Sequence, residues 1–215
     1  MNTSITSKQK DRLRDVGASI GRSAAELILK NVEFSDMQSF LGRTNRLKRS
    51  MIAVALVEAK KISTAPGLLE PTPFIPAEFL GNGWKFDDSE PQDQQSLALK
   101  RLDPLDVAFQ SFLTEGEDAI TGEERLTRAK QQNRVRLDAK WFMALCKEEG
   151  HKTLEWFYTT QGVTWIEFLG SPLRDPRGNR YSLVLCRFDD GSWHWRCRWL
   201  GDGRDAGRHA ALLES

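Results

Sequence analysis

Ser192 to Trp199 reads SWHWRCRW and alternates in period two. Trp193, Trp195, Cys197 and Trp199 fall on one face, and Ser192, His194, Arg196 and Arg198 fall on the other. Alternation of this kind marks a half-buried strand, with the three indoles expected in the core and the polar set outside. Immediately upstream, Tyr181 to Phe188 (YSLVLCRF) reads as a second strand. Asp189-Asp190-Gly191 is the turn that joins the two. Further out, Val163 to Leu169 (VTWIEFL) reads as a third strand.

The segments before these strands carry helix signals. Asp138 reads as the cap of a helix over Ala139 to Glu149, with Trp141, Phe142 and Leu145 inward. Thr121-Gly122-Glu123-Glu124 is a capping box that opens a helix to about Lys130. Asp103-Pro104, a cap followed by proline at the first helical position, predicts a helix over Leu105 to Leu113. Ser96 to Leu102 reads as a strand, and Trp84 sits in a turn, LGNGWKF, that leads to a short one. Residues 63 to 76 hold four prolines and no periodicity, which suits a linker or an extended wrap on the following domain.

Nearer the N-terminus, Leu13, Val16, Ile20, Ala24, Leu27 and Ile28 form a helical stripe over residues 7 to 31. Ser35-Asp36-Met37-Gln38 opens a second helix to about Ile62, striped by Leu41, Leu47, Met51, Val54 and Ala55. The expected architecture is therefore α+β. A helical hairpin in residues 1–70 precedes a domain over 71–215 that closes on a small antiparallel sheet. The hairpin suits a homo-oligomer contact. Its basic cluster, Arg43, Arg46, Lys48 and Arg49, reads more simply as a solvated face.

Composition narrows the function. The net charge is +1, which argues against bulk attraction to nucleic acid or an anionic membrane. No apolar run reaches membrane-spanning length, and the first residues lack a signal-peptide core. Three cysteines make no disulfide framework, so a reducing cytoplasm is the expected compartment. No HExxH, paired CxxC, GxSxG or Walker loop is present, so no enzyme is expected. Cys186, His194, Cys197 and His209 match no zinc spacing, and no metal or other cofactor is expected. The acids Glu115, Glu117, Asp118, Glu123 and Glu124 suit a solvated loop and helix N-terminus better than paired catalytic carboxylates.

One compositional feature stands apart. Between Pro172 and Ala210 every cation is Arg (174, 177, 180, 187, 196, 198, 204, 208) and every acid is Asp (175, 189, 190, 202, 205). The stretch has no Lys, Glu, Gln or Met, although the whole chain has twelve Lys and fifteen Glu. Arginine's planar, stacking fork explains a preference over Lys, but surface chemistry does not explain Asp without Glu.

Several segments resemble a family of bacterial proteins: FIPAEFLGNGW (74–84), LTEGEDAITGEERLTRAK (113–130), VRLDAKWF (135–142) and IEFLGSPLRDPRGNRYSLVLCRFDDGSWHWRCRWL (166–200). The C-terminal segment resembles the variable region of target proteins of diversity-generating retroelements. In those systems a reverse transcriptase miscopies template adenines, and asparagine codons become codons that cannot encode Lys, Glu, Gln, Met or Trp. The resemblance implies a C-type-lectin-like variable domain. It also implies a diversified surface over about 175–209 that binds varied ligands, proteins first among them. The ligand-binding set it implies is Arg187, Asp189, Asp190, Ser192, His194, Arg196, Arg198, Asp202, Arg204, Asp205, Arg208 and His209, on a core held by Trp193, Trp195 and Trp199. The calcium-dependent sugar-binding motifs of C-type lectins are absent. The competing reading is a nucleic-acid-associated protein of a mobile element that lays the Arg-rich strand on phosphate and contacts DNA through the basic helical hairpin.

Overall fold

The computed structural model describes residues 64–132 and 134–213. The expected helices over 7–31 and 35–62, with their basic cluster, lie outside the described residues. The chain from Pro66 onward forms one α+β unit. Its helices are α1 (Pro76–Leu80), α2 (Gln94–Ala98), α3 (Gly122–Gln131), α4 (Ala139–Lys147) and α5 (Lys152–Gln161). Its strands are β1 (Lys85–Phe86), β2 (Val107–Gln110), β3 (Ala119–Thr121), β4 (Val135–Arg136), β5 (Trp165–Arg174), β6 (Arg180–Arg187), β7 (Trp193–Trp199), β8 (Gly203–Asp205) and β9 (His209–Leu213).

The caps read from sequence form as expected. Thr121 Oγ1 accepts from Glu124 N at 3.1 Å, and Asp138 accepts from Lys140 N at 2.9 Å. On α3, Glu123 and Glu124 lie in the first turn and Arg128 and Lys130 in the last, which suits the helix dipole. Trp141, Phe142 and Leu145 are buried on the inward face of α4. The residues preceding α1 wrap the domain: Leu69 exchanges backbone bonds with Leu102, and Leu69 and Phe74 are buried.

Two sequence expectations fail for identifiable reasons. Ser96–Leu102 is not a strand. Asp93 accepts from Gln95 N and Ser96 N, both at 3.1 Å, and starts the short helix α2. Leu105–Leu113 is not a helix. Asp103 does cap, accepting from Leu105 N at 3.0 Å, but the turn lasts only Pro104–Asp106. Val107–Gln110 then pairs with β9 as strand β2. Pairing with a distant strand overrides the local helix signal, and Val and Phe suit a pleated surface.

The sheet is larger than expected and mixed. Its main path runs β2-β9-β5-β6-β7, with β1 against β5 and β4 against β9. β9, the last described strand, inserts in the middle and runs parallel to β5, while the other pairs are antiparallel. β3 and β8 form a separate two-stranded sheet. β5 continues past Leu169 through a bulge between Phe168 and Leu173. At Gly170 in this bulge a Cβ would come within 2.3 Å of the Arg136 carbonyl oxygen, so glycine lets β5 pass the start of α4.

One face of the sheet is covered by α4 and α5. Phe142 meets Phe74, Phe79 and Phe168 at 5.9, 5.9 and 5.5 Å, and Phe109 on β2 meets Phe157 on α5 at 4.8 Å. On the opposite face Leu126 and Ala129 of α3 pack with Phe112, Ile120, Leu169, Leu200, Ala210 and Leu212.

Acids from the first half of the domain clamp the later strands. Asp87 holds Arg174 at 2.8 Å and Arg180 at 2.5 Å, and Arg180 also reaches Glu123 at 2.5 Å. Burial pushes the Asp87 carboxyl up, but hydrogen bonds from Ser89, Arg174 and Arg180 outweigh it and hold it at about 2. The Arg128 fork similarly holds Glu117 at about 2. Ordinary values are 3.8 and 4.5, so the stability these groups contribute is full above about pH 5 and is lost as pH falls toward 2. Thermal melts across that range should show this loss, and Asp87→Asn should make the slope shallower. An unchanged slope in Asp87→Asn would remove Asp87 from the account.

Candidate binding face

The residues of Ser192 to Trp199 occupy the edge of the sheet. β7 pairs with β6 in the register Trp193↔Arg187, Trp195↔Leu185, Cys197↔Leu183 and Trp199↔Tyr181. Arg180 O accepts from Leu200 N, and Ser192 O accepts from Phe188 N. These bonds set the phase of the ladder, so His194, Arg196 and Arg198 turn their backbone groups toward β6. Trp193, Trp195, Cys197 and Trp199 turn theirs to the outer edge. Among the described residues no strand pairs with that edge.

The turn leading into β7 is a three-residue hairpin loop closed by Gly191 at φ 86°, a left-handed value that favours glycine. Asp190 accepts from Ser192 N at 2.8 Å and from Ser192 Oγ at 2.5 Å. The Ser192 bonds hold the Asp190 carboxyl below its ordinary range. Ser192 Oγ lies 2.8 Å from His194 Nε2. The His194 ring stacks on Phe188 at 4.4 Å, and the Arg196 guanidinium lies over Phe188 at 5.1 Å. Arg198 pairs with Asp202 at 3.0 Å. His194, Arg196, Phe188, Asp189 and Asp190 are exposed, and Ser192, Arg198 and Asp202 are half-exposed.

The indole face departs from the expectation of a uniform core. Trp193 is buried, and its Nε1–H donates to Glu155 on α5 at 2.8 Å. Trp195 and Trp199 are 47 % and 48 % exposed. The reason is position in the sheet: β7 is the edge strand, and α4 packs mainly over β5 and β6. Trp195 rests on Phe79 at 4.8 Å, and Trp199 lies over Gly201, where a Cβ would come within 2.5 Å of the ring. Alternation assigned these side chains to one face correctly, but it carried no information on how far that face is covered.

Three members of the expected ligand-binding set also sit elsewhere. Arg204 is wholly buried beside Arg125 and Glu167, which are also at 0 % exposure. Glu167 accepts from Arg204 Nη2 at 2.9 Å, Arg125 Nη1 at 3.1 Å and Ser182 Oγ at 2.5 Å. Arg204 Nε also donates to Glu167, and its Nη1 and Nη2 reach the Asp202 and Trp199 carbonyl oxygens. His209 begins β9 half-buried, and burial lowers its affinity for a proton below the usual value. Arg187 pairs with Glu155 at 3.3 Å and stacks over Tyr158 at 4.0 Å, which anchors β6 to α5. Asp205, the last residue of β8, pairs with Arg208 in the turn that follows, and Arg208 lies over the Trp165 ring at 5.2 Å.

These contacts give the Arg and Asp composition a local reason. Arg174, Arg180, Arg187 and Arg204 pair with acids that all lie upstream of Pro172: Asp87, Glu90, Glu123, Glu155 and Glu167. Forked, partly buried pairing of this kind suits Arg and not Lys. Asp175, Asp190 and Asp205 each accept from the backbone N–H two residues on, at Arg177, Ser192 and Gly207. That turn geometry needs the short Asp side chain.

Cys186 and Cys197 project from opposite faces of the hairpin, so they do not converge with His194 and His209 on one centre. Among the described residues no group of His, Cys, Asp or Glu is arranged to hold a metal ion. Glu117, Glu123 and Glu124 are engaged by Arg128 and Arg180. No described helix is long and apolar enough to cross a membrane. Phe188, Trp195 and Trp199 are the exposed residues that sequence reasoning did not assign to the site. Phe188 shares the parity of His194, a signal that was present in the sequence. In comparisons with known proteins, no family model, no curated relative and no solved structure matches this chain.

Proposed function

We propose that this chain is a non-enzymatic binding protein whose recognition surface is β7 with its two flanking turns, and that the ligand is a protein. The observation that carries the reading is the exposed edge strand, with His194 and Arg196 on one side and Trp195 and Trp199 on the other. A paired sheet fixes its backbone, so exchangeable side chains can set the partner at low ordering cost. Aromatic and arginine side chains are the common anchors of such surfaces. The segments quoted above suggest a C-type-lectin-like variable domain diversified by a retroelement. A reducing compartment such as the cytoplasm suits its free Cys146, Cys186 and Cys197.

Burial and pairing sharpen which positions such a system would vary. Asp189, Ser192, His194, Arg196, Arg198, Asp202 and Arg208 can change without opening the core. Arg174, Arg180, Arg187 and Arg204 cannot, because each holds an acid on another element and its loss would remove that tie. Sequencing the DNA that flanks the gene tests this. We expect a near-copy of the segment encoding 175–210 beside a reverse transcriptase gene, differing where the copy has adenines. The differences should fall on the exposed set and spare the three paired arginines of that segment, Arg180, Arg187 and Arg204. Absence of both the repeat and the reverse transcriptase would overturn diversification, and differences centred on Arg204 would overturn the assigned surface.

A further inference from the structure

The outer edge of β7 offers a row of backbone groups. Trp193, Trp195 and Cys197 each present an N–H and a C=O there, and Trp199 presents its N–H. The Trp199 carbonyl is already taken by Asp202 N and by Arg204. Natural edge strands are often blunted by proline, a bulge or a covering element. β7 has neither proline nor bulge, and among the described residues nothing pairs with its outer side.

We propose that β7 is a strand-addition site for an extended acidic segment of a partner protein, an inference that rests on reading β7 as the recognition surface. A strand laid along β7 would place alternate side chains on the two faces of the sheet. On one face they would lie beside His194, Arg196 and Arg198, which favours carboxylates. On the other they would lie beside the exposed indoles of Trp195 and Trp199, which favours apolar side chains. The fitting segment therefore alternates acidic and apolar residues.

Charge selects this occupant over a second copy of the chain. Two β7 strands paired antiparallel about their common centre would set Arg196 against Arg196 and His194 against Arg198. Cations directly opposite one another destabilise a cross-strand pair. The same arginines thus disfavour self-pairing and favour an acidic strand.

The test uses the full chain and a synthetic seven-residue peptide alternating Glu and Val, with a Gln-for-Glu counterpart. Amide exchange by NMR reads the backbone. The Glu peptide should slow exchange of the Trp195 and Cys197 amides, and the Gln peptide should bind about tenfold or more weakly. Cys197→Pro removes an outward N–H without touching the β6 ladder, a substitution that edge strands tolerate. It should abolish binding, whereas Cys197→Ala should retain it. If Cys197→Pro fails to fold, the wild-type exchange pattern decides. The proposal is overturned by no binding up to about 1 mM peptide, by equal binding of the Gln peptide, or by binding that leaves both amides unchanged. It is also overturned if those amides are already slow without peptide, since the edge is then occupied by this chain or its copy. Finding the DNA repeat while these results fail would leave recognition through side chains alone, so the two readings fail separately.

Discussion

Glu167→Ala should destabilise the domain by about 3–5 kcal/mol, because it strands two buried guanidinium groups without a counter-charge. Arg125, Glu167 and Arg204 are all at 0 % exposure, and Glu167 accepts from both arginines and from Ser182. Neither arginine can escape by losing its proton. Thermal unfolding followed by circular dichroism should show a midpoint lowered by about 10 °C or more. Arg204→Ala should also be severe, since it leaves Glu167 with only one of its two arginines. The triple replacement Arg125→Met, Glu167→Leu, Arg204→Met should cost less than Glu167→Ala alone, because it removes the charges together. By contrast Arg196→Ala, at an exposed position over Phe188, should stay within about 0.5 kcal/mol of the parent. Equal stability of Glu167→Ala and the parent would show that the cluster does not hold β5, α3 and β8 together.

Phe142→Ala should cost about 3–5 kcal/mol, in the range seen for emptied aromatic core positions. Its ring sits edge-on to Phe74, Phe79 and Phe168, so no single neighbour can collapse into the space. The effect should reach the binding face, because Phe79 touches both Phe142 and Trp195. Urea unfolding measures the first consequence. The second should appear as a shift of the Trp195 indole signal in NMR spectra of the folded variant. An unmoved Trp195 signal would separate the indole's position from the aromatic cluster beneath it.

The expected α+β class holds in the described residues, and most local punctuation was legible from sequence. Thr121 and Asp138 cap helices because a short side-chain oxygen beside a free N–H needs no distant partner. The hairpin of β6 and β7 was legible for the same reason, since alternation on both sides of Asp-Asp-Gly is a local pattern. The failures lie where a distant element decides. Val107–Gln110 became a strand because β9 lies beside it, and β9 itself, with β8, carried no signal distinct from a loop.

The candidate site divides in the same way. The sequence by itself determined which side chains of Ser192 to Trp199 share a face, because the period-two geometry of a strand is intrinsic to its backbone. The tertiary structure alone decided that Trp195 and Trp199 stay half exposed and that Arg204 is buried. It also decided that the outer backbone of β7 is unpaired among the described residues. Burial and pairing depend on which elements reach the sheet margin and where a buried carboxylate waits. Both are set by contacts between residues far apart in the chain, which no local pattern encodes.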